Sequence, residues 1–310
     1  MEDPTHPRLS RRRLMGLVAG GLTATAVGGV GIFEQRRGDA AGPSAAPSST
    51  AEPVAGTSTK ASAVPKQPAV HPVVNPATQS DTWYAWQWVN LTTGAAYGSA
   101  NARTETNNTE SMVKAWLGAD YIAGLESAGE SLGAADKALI TKMIRSSDDA
   151  AAQTLWQRRG GDAAIERLIA DCGLTNTSVT PDWWSKTQIT AYDATKMLRT
   201  ILNRSQTSPW TAWLVDDLMR SVDPGDAFGI AQVLAELDPQ AKPAVKNGWT
   251  AHGATGLWNL NCLAEWTPTG SSDRIVLSVL TRYPVAYGQS YGEKLCRDVT
   301  RQLCGTLFAA

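Results

Sequence analysis

Histidine is scarce: the 310-residue chain holds three, and past the first eighty residues only His252 remains. A serine relay built on an imidazole would have that one candidate base, and His252 stands next to Gly253 in a turn-forming stretch, where it reads as a loop residue. Cysteine is sparse too. Cys172, Cys262, Cys296 and Cys304 fit no zinc spacing, so no metal is expected. Cys296 and Cys304 fall in one helical pattern, about 12 Å apart along its axis at 1.5 Å per residue, too far for a direct bridge unless the helix ends between them. Three full pairings and four free thiols otherwise stay open. A charge excess is missing as well: 28 Lys+Arg against 29 Asp+Glu give a net charge of −1, which points away from nucleic acid and acidic partners. No phosphate-cradling or dinucleotide fingerprint occurs, Gly253-Ala-Thr-Gly256 being a turn between strands, and no cofactor is expected.

The two ends differ from the middle. Ser10-Arg11-Arg12-Arg13-Leu14-Met15 precedes an uncharged, small-residue run from Leu14 to Phe33. This reads as a twin-arginine export signal over residues 1–37, because Gly16, Gly20, Gly21, Gly28 and Gly29 make it a poor transmembrane anchor. The body is therefore expected outside the cytoplasmic membrane of a bacterium, secreted or tethered by this segment. No cysteine follows the apolar run to carry a lipid. Residues 38–79 are rich in Ala, Pro, Ser and Thr without periodicity and read as a disordered spacer.

From residue 80 to 310 the pattern is that of a folded body. Strands are expected at Thr82–Val89 and Gly94–Ala100, then helices from Ser111, at Ala134–Arg145, Asp149–Arg159, Asp162–Asp171, Thr190–Asn203, Pro209–Ser221 and Phe228–Leu237. Strands return at Pro243–Trp249, Leu257–Trp266 and Arg274–Tyr283, and a helix closes the chain from Tyr287 to Leu307. Two strands, many helices, three strands and a helix imply an α/β (α+β) domain. Its expected form is an antiparallel five-stranded sheet flanked by helices, plus an all-helical lobe, with a cleft between them. Most of the twelve tryptophans should serve as core or cleft walls.

The chemistry is placed at Thr109-Glu110-Ser111-Met112-Val113-Lys114. Thr109 is a plausible cap, and Ser111 and Lys114 are neighbours on one helix face, about 5–6 Å between Cβ atoms. A hydroxyl at a helix amino end with an amine one turn below is a nucleophile with a candidate base. A single Ser-x-x-Lys is common by chance, so the company it keeps decides. Ser147-Asp148-Asp149 lies in a polar turn between two helices, and Lys246-Asn247-Gly248-Trp249 at the end of a strand.

Three such clusters in this order resemble the serine β-lactamase and penicillin-binding protein superfamily, from about Thr82 to Phe308. The resemblance implies an acyl-enzyme on Ser111, with Lys114 as base and Ser147 relaying the proton to the leaving nitrogen. It further implies that Lys246 and Asn247 fix a substrate carboxylate, with Asp149, Gly248 and Trp249 also at the substrate, and that the amides of Ser111 and Trp249 form an oxyanion hole. The expected partner is a small molecule or peptidoglycan-type substrate, and a monomer is expected. Two departures carry information. Asp149 stands where the family has Asn, and an ionised Asp only accepts; Asn247 stands where it has Thr or Ser. The short separation of Ser111 and Ser147 implies a trimmed lobe. The stretch Thr177–Thr190 lacks the family's deacylating Glu; Asp182 is its only acid and reads as a Pro-Asp turn, while Glu166 reads as a solvated helix-face residue. Two functions compete: a serine hydrolase that deacylates slowly, and a degenerate wall-binding or sensor module.

Overall fold

Two ten-residue strands, β7 (Leu257–Trp266) and β8 (Ile275–Pro284), are buried along nearly their whole length, so both faces of their sheet are covered. The computed structural model describes residues 71–308. The expected signal and most of the expected spacer lie outside the described residues. Around β7 and β8 the sheet adds β1 (Trp83–Asn90), β2 (Ala96–Gly98), β5 (Ala244–Val245) and β6 (Gly248–His252). The order is β2-β1-β8-β7-β5, with β6 also paired to β7, and every pairing is antiparallel.

The strand expected over Pro243–Trp249 is divided at Lys246 and Asn247, although its register against β7 does not change: Val245 faces Ala264 and Gly248 faces Asn261. One rung is made by a side chain instead. Asn247 Oδ1 accepts from the Leu263 amide at 3.3 Å. The sheet therefore keeps the expected five-strand width.

On one face pack α7 (Ile230–Leu237) and α8 (Gly288–Leu307), closing a core with Val279, Leu260 and Val299. On the other lies α5 (Ala191–Arg204), and beyond it the helical lobe of α1 (Lys114–Ser127), α2 (Ala134–Arg145), α3 (Asp149–Arg158) and α4 (Ala163–Cys172). Every residue of α1 from Lys114 to Ile122 is buried, so it is the lobe's axial helix. Capping sets several starts: Asp148 accepts from Ala151 N, and Thr190 from Asp193 N.

Three expectations are corrected and one element is added. Thr109 caps nothing; its hydroxyl donates to the Ser185 carbonyl. The helix expected over Pro209–Ser221 is α6 (Pro209–Ala212) followed by a wide turn at Trp213–Leu218 and a tight one at Met219–Ser221. A two-stranded ribbon, β3 (Thr106–Asn108) with β4 (Gln188–Thr190), was not legible, because three residues carry too little periodicity. Residues 71–79, expected as spacer, lie against α8: Asn75 N donates to Gln302 Oε1 at 2.8 Å and Gln79 N to Tyr291 Oη at 3.0 Å. All four cysteines are buried and free. No described helix is long and apolar enough to cross a membrane.

Candidate active site

Ser111 sits in a tight helical turn, Glu110–Val113, just before α1 begins at Lys114. The turn is entered through Glu110 at φ +48°, a left-handed conformation that costs a non-glycine residue about 1–3 kcal/mol. Two contacts hold it there. Glu110 Oε1 meets His252 Nε2 at 2.6 Å and accepts from Asn259 Nδ2 at 3.3 Å, with only 2 % of the Glu110 side chain exposed. His252 is thus the last residue of β6 and pairs with an acid, instead of the loop residue expected. Beyond this pair opens a cavity of about 390 Å³ lined by Asn107, Asn108, Lys186 and Arg282 among others.

The side of β6 makes the turn possible. A Cβ at Gly248 would lie 2.5 Å from Met112 N and Thr109 O and 2.7 Å from Ser111 N. Only glycine lets this strand pass so close to the backbone around Ser111.

Lys114 Nζ is wholly buried and donates three bonds, to Ser147 O at 2.6 Å, Asp149 Oδ1 at 2.7 Å and Ser111 Oγ at 2.9 Å. It also lies 5.2 Å from the Trp184 ring centre. Ser147 is held at φ +52° between α2 and α3, a second left-handed residue at the same cleft. That twist turns its carbonyl to one lysine while its hydroxyl bonds the other, Lys246 Nζ. Lys246 is 1 % exposed, and its other polar neighbour is the Asn247 carbonyl at 3.4 Å. Burial pushes its amine down to about 8, with the Asp226 charge pulling partly the other way.

The four residues expected to carry the chemistry, Ser111, Lys114, Ser147 and Lys246, thus meet in one hydrogen-bonded chain. Asp149 reaches Lys114 as its charge requires. Asn247 does not reach the cleft. Its amide donates to Asp226 O and Phe228 O, both at 2.9 Å, and its oxygen accepts from Leu263 N. With every polar atom engaged inward it has no donor left for a substrate carboxylate, and that expectation is corrected. Trp249 turns its ring onto Phe228, centres 5.1 Å apart, on the α7 side of the sheet.

Sequence reasoning missed Glu110, Asp226 and Trp184. An acid directly before the nucleophile was a readable signal for Glu110; Asp226 had none. In the loop Thr177–Thr190, Asp182 lies in a turn at φ +58°, as expected. From the same loop Trp184 brings its ring to 5.2 Å from Lys114 Nζ, and its indole donates to Gln153 Oε1 at 3.0 Å. Glu166 is exposed on α4, also as expected.

Comparison with known proteins agrees with this fold. Residues 134–307 match the family described as the Beta-lactamase enzyme family. Over 160 residues the chain is 29 % identical to the "Putative lipoprotein LppW" of Mycobacterium bovis and Mycobacterium tuberculosis, matching 48 % of this chain and 49 % of theirs. The chain thus spans about half the length of these curated relatives. The solved structure of PBP-A aligns over 75 % of this chain and 92 % of its own, with a TM-score of 0.62 at 18 % identity. An ancestral class A β-lactamase aligns over 73 % and 95 %, with a TM-score of 0.59 at 20 % identity. At such identities the likeness establishes the fold.

Proposed function

The chain belongs to the Beta-lactamase enzyme family, and on that premise we propose that it is an active-site-serine acyl-transfer hydrolase acting on β-lactams or D-alanyl-D-alanine-type peptides. The observation that carries this reading is the convergence of four side chains: buried Lys114 bonds the Ser111 hydroxyl and the Ser147 carbonyl, and buried Lys246 bonds the Ser147 hydroxyl. Ser111 attacks the carbonyl carbon, and its proton enters the lysine–serine chain. Ser147 then delivers a proton to the leaving nitrogen, and the amides of Ser111 and Trp249 take the oxyanion.

Deacylation is slow in this reading. The loop of residues 177–190 holds no Glu to activate a water, and the residue it brings near Lys114 is Trp184. Export through the twin-arginine-type segment is part of the proposal, and the name of the mycobacterial relatives supports it. One observation favours a second reading: the inward Asn247 removes a substrate contact, as in a module that binds wall peptides without turning them over.

A fluorescent penicillin separates the two. A variant of the neighbour PBP-A forms an acyl-enzyme complex with penicillin G, which supports the choice of probe. Covalent labelling of the full chain that vanishes in Ser111→Ala is expected; absence of labelling at any concentration overturns the hydrolase reading. Hydrolysis of a chromogenic cephalosporin should be much slower than labelling. Equal rates would refute slow deacylation.

A further inference from the structure

We propose that the cleft between the β1–β2 turn and α5 is a binding site for an organic phosphate, separate from the Ser111 cleft and independent of the acyl-transfer reading.

The cleft holds about 340 Å³, a volume suited to a small ligand. Along one face of α5, Tyr192, Lys196, Arg199 and Asn203 recur at helical spacing and line it, and Arg103 joins them from the loop before β3. No Asp or Glu is among its lining residues. Arg103 and Arg199 have no carboxylate partner among the described residues, whereas Arg159, Arg167, Arg220 and Arg274 all do. The net charge of −1 excludes a generally basic surface, so this acid-free group of three cations is local. Their mutual repulsion opposes folding, and an anion in the cleft relieves it.

Two side chains are set in advance. The Arg103 guanidinium lies 3.7 Å from the centre of the Tyr192 ring, which holds it at the cleft before a ligand arrives. Asn90, the last residue of β1, also lines the cleft and is only 8 % exposed. Its Oδ1 accepts from Thr92 N at 3.0 Å and Thr93 N at 3.1 Å. Those bonds fix the amide and leave Nδ2 without a partner among the described residues. A nearly buried donor that the protein leaves unused, in a cleft walled by cations, calls for an acceptor from outside. Lys196 is partly committed, donating to the Gly173 carbonyl just past α4, so the two arginines carry the recognition. Their forked N–H groups match the paired oxygens of a phosphate. Leu91 and Ala96 line the same cleft and cover the carbon-bearing part of the ligand, which favours an ester over the inorganic ion. The ester is either a soluble one or a lipid headgroup.

The test titrates the full chain with glycerol 3-phosphate by calorimetry. In parallel it measures co-sedimentation with phosphatidylglycerol vesicles, using phosphatidylcholine vesicles as the uncharged comparison. Two variants accompany each probe. Arg199→Gln removes an exposed cation. Asn90→Asp keeps the oxygen that the Thr92 and Thr93 amides need, while replacing the unused donor by a negative charge. Urea unfolding checks that both variants keep the fold. Saturable binding of at least one probe is expected, stronger at low salt and weakened about tenfold or more by each variant. Binding of glycerol 3-phosphate alone identifies a soluble ester as the ligand. Variant-sensitive binding of phosphatidylglycerol vesicles identifies a headgroup. Binding of neither probe at millimolar concentration overturns the proposal, as does binding that Arg199→Gln leaves unchanged.

Discussion

Asp120 in the helical lobe and the lysine chain at the cleft both put ionised groups out of reach of water, with opposite bookkeeping. Asp120 is gripped by two arginines. Arg167 Nε and Nη2 donate at 2.7 Å each, Arg159 Nε at 2.9 Å and Arg159 Nη2 at 3.3 Å. Burial pushes its carboxyl up, but the bonds from Arg167 and Arg159 outweigh it and hold the group below the usual carboxylate range. At the cleft, two lysines share one serine, with the Asp149 carboxylate on Lys114 and the Asp226 charge acting on Lys246. The arginine grip lowers the Asp120 carboxyl, whereas burial with a neutral serine partner lowers the Lys246 amine.

The sharpest break of this comparison is Ser111→Ala. Penicillin labelling should disappear, while urea unfolding should shift by no more than about 0.5 kcal/mol. Asp120→Asn should do the reverse, costing about 3 kcal/mol, the low end for a buried pair, because two half-buried guanidinium groups lose the buried carboxylate they grip. The same urea titration measures it. Because the Asp120 carboxyl is lowered in the fold, its contribution is present above its unfolded value of about 3.9 and is lost as pH falls through the lowered one. The cost of Asp120→Asn should therefore shrink in acid.

Lys246→Met should move stability the other way. The folded amine, at about 8 against a usual 10.5, makes the unfolded chain bind more protons between those values, so stability rises with pH there. Replacing it should gain up to about 3 kcal/mol at pH 7, and the gain should fade by pH 10. The smallest effect is expected at the clasp behind the nucleophile. His252→Ala leaves a buried acceptor on Glu110 and should cost about 1–3 kcal/mol. It should also slow labelling by loosening the Glu110 turn. An unchanged labelling rate would show that the strained turn holds itself.

Much of the frame was legible. α2, from Ala134 to Arg145, and β7, from Leu257 to Trp266, begin and end where their patterns predict, because amphipathic or buried runs of ten residues or more leave little ambiguity. The β3–β4 ribbon and the ordered stretch 71–79 were hidden, since their order comes from partners distant in sequence, such as Thr187 and Gln302. The residues of the lysine chain were legible as types and order, but not their partners. Nothing local announces that Asn247 turns inward or that Trp184 covers Lys114.

The amino-acid sequence alone determined the layer order of the domain and marked Ser111 and the two amines as candidates, because periodicity and short-range spacing are properties of the chain itself. The tertiary structure decided the partners each amine meets, the clasp on Glu110 and the need for glycine at Gly248. Those depend on which atoms arrive from far along the chain, and on how completely they exclude water once there.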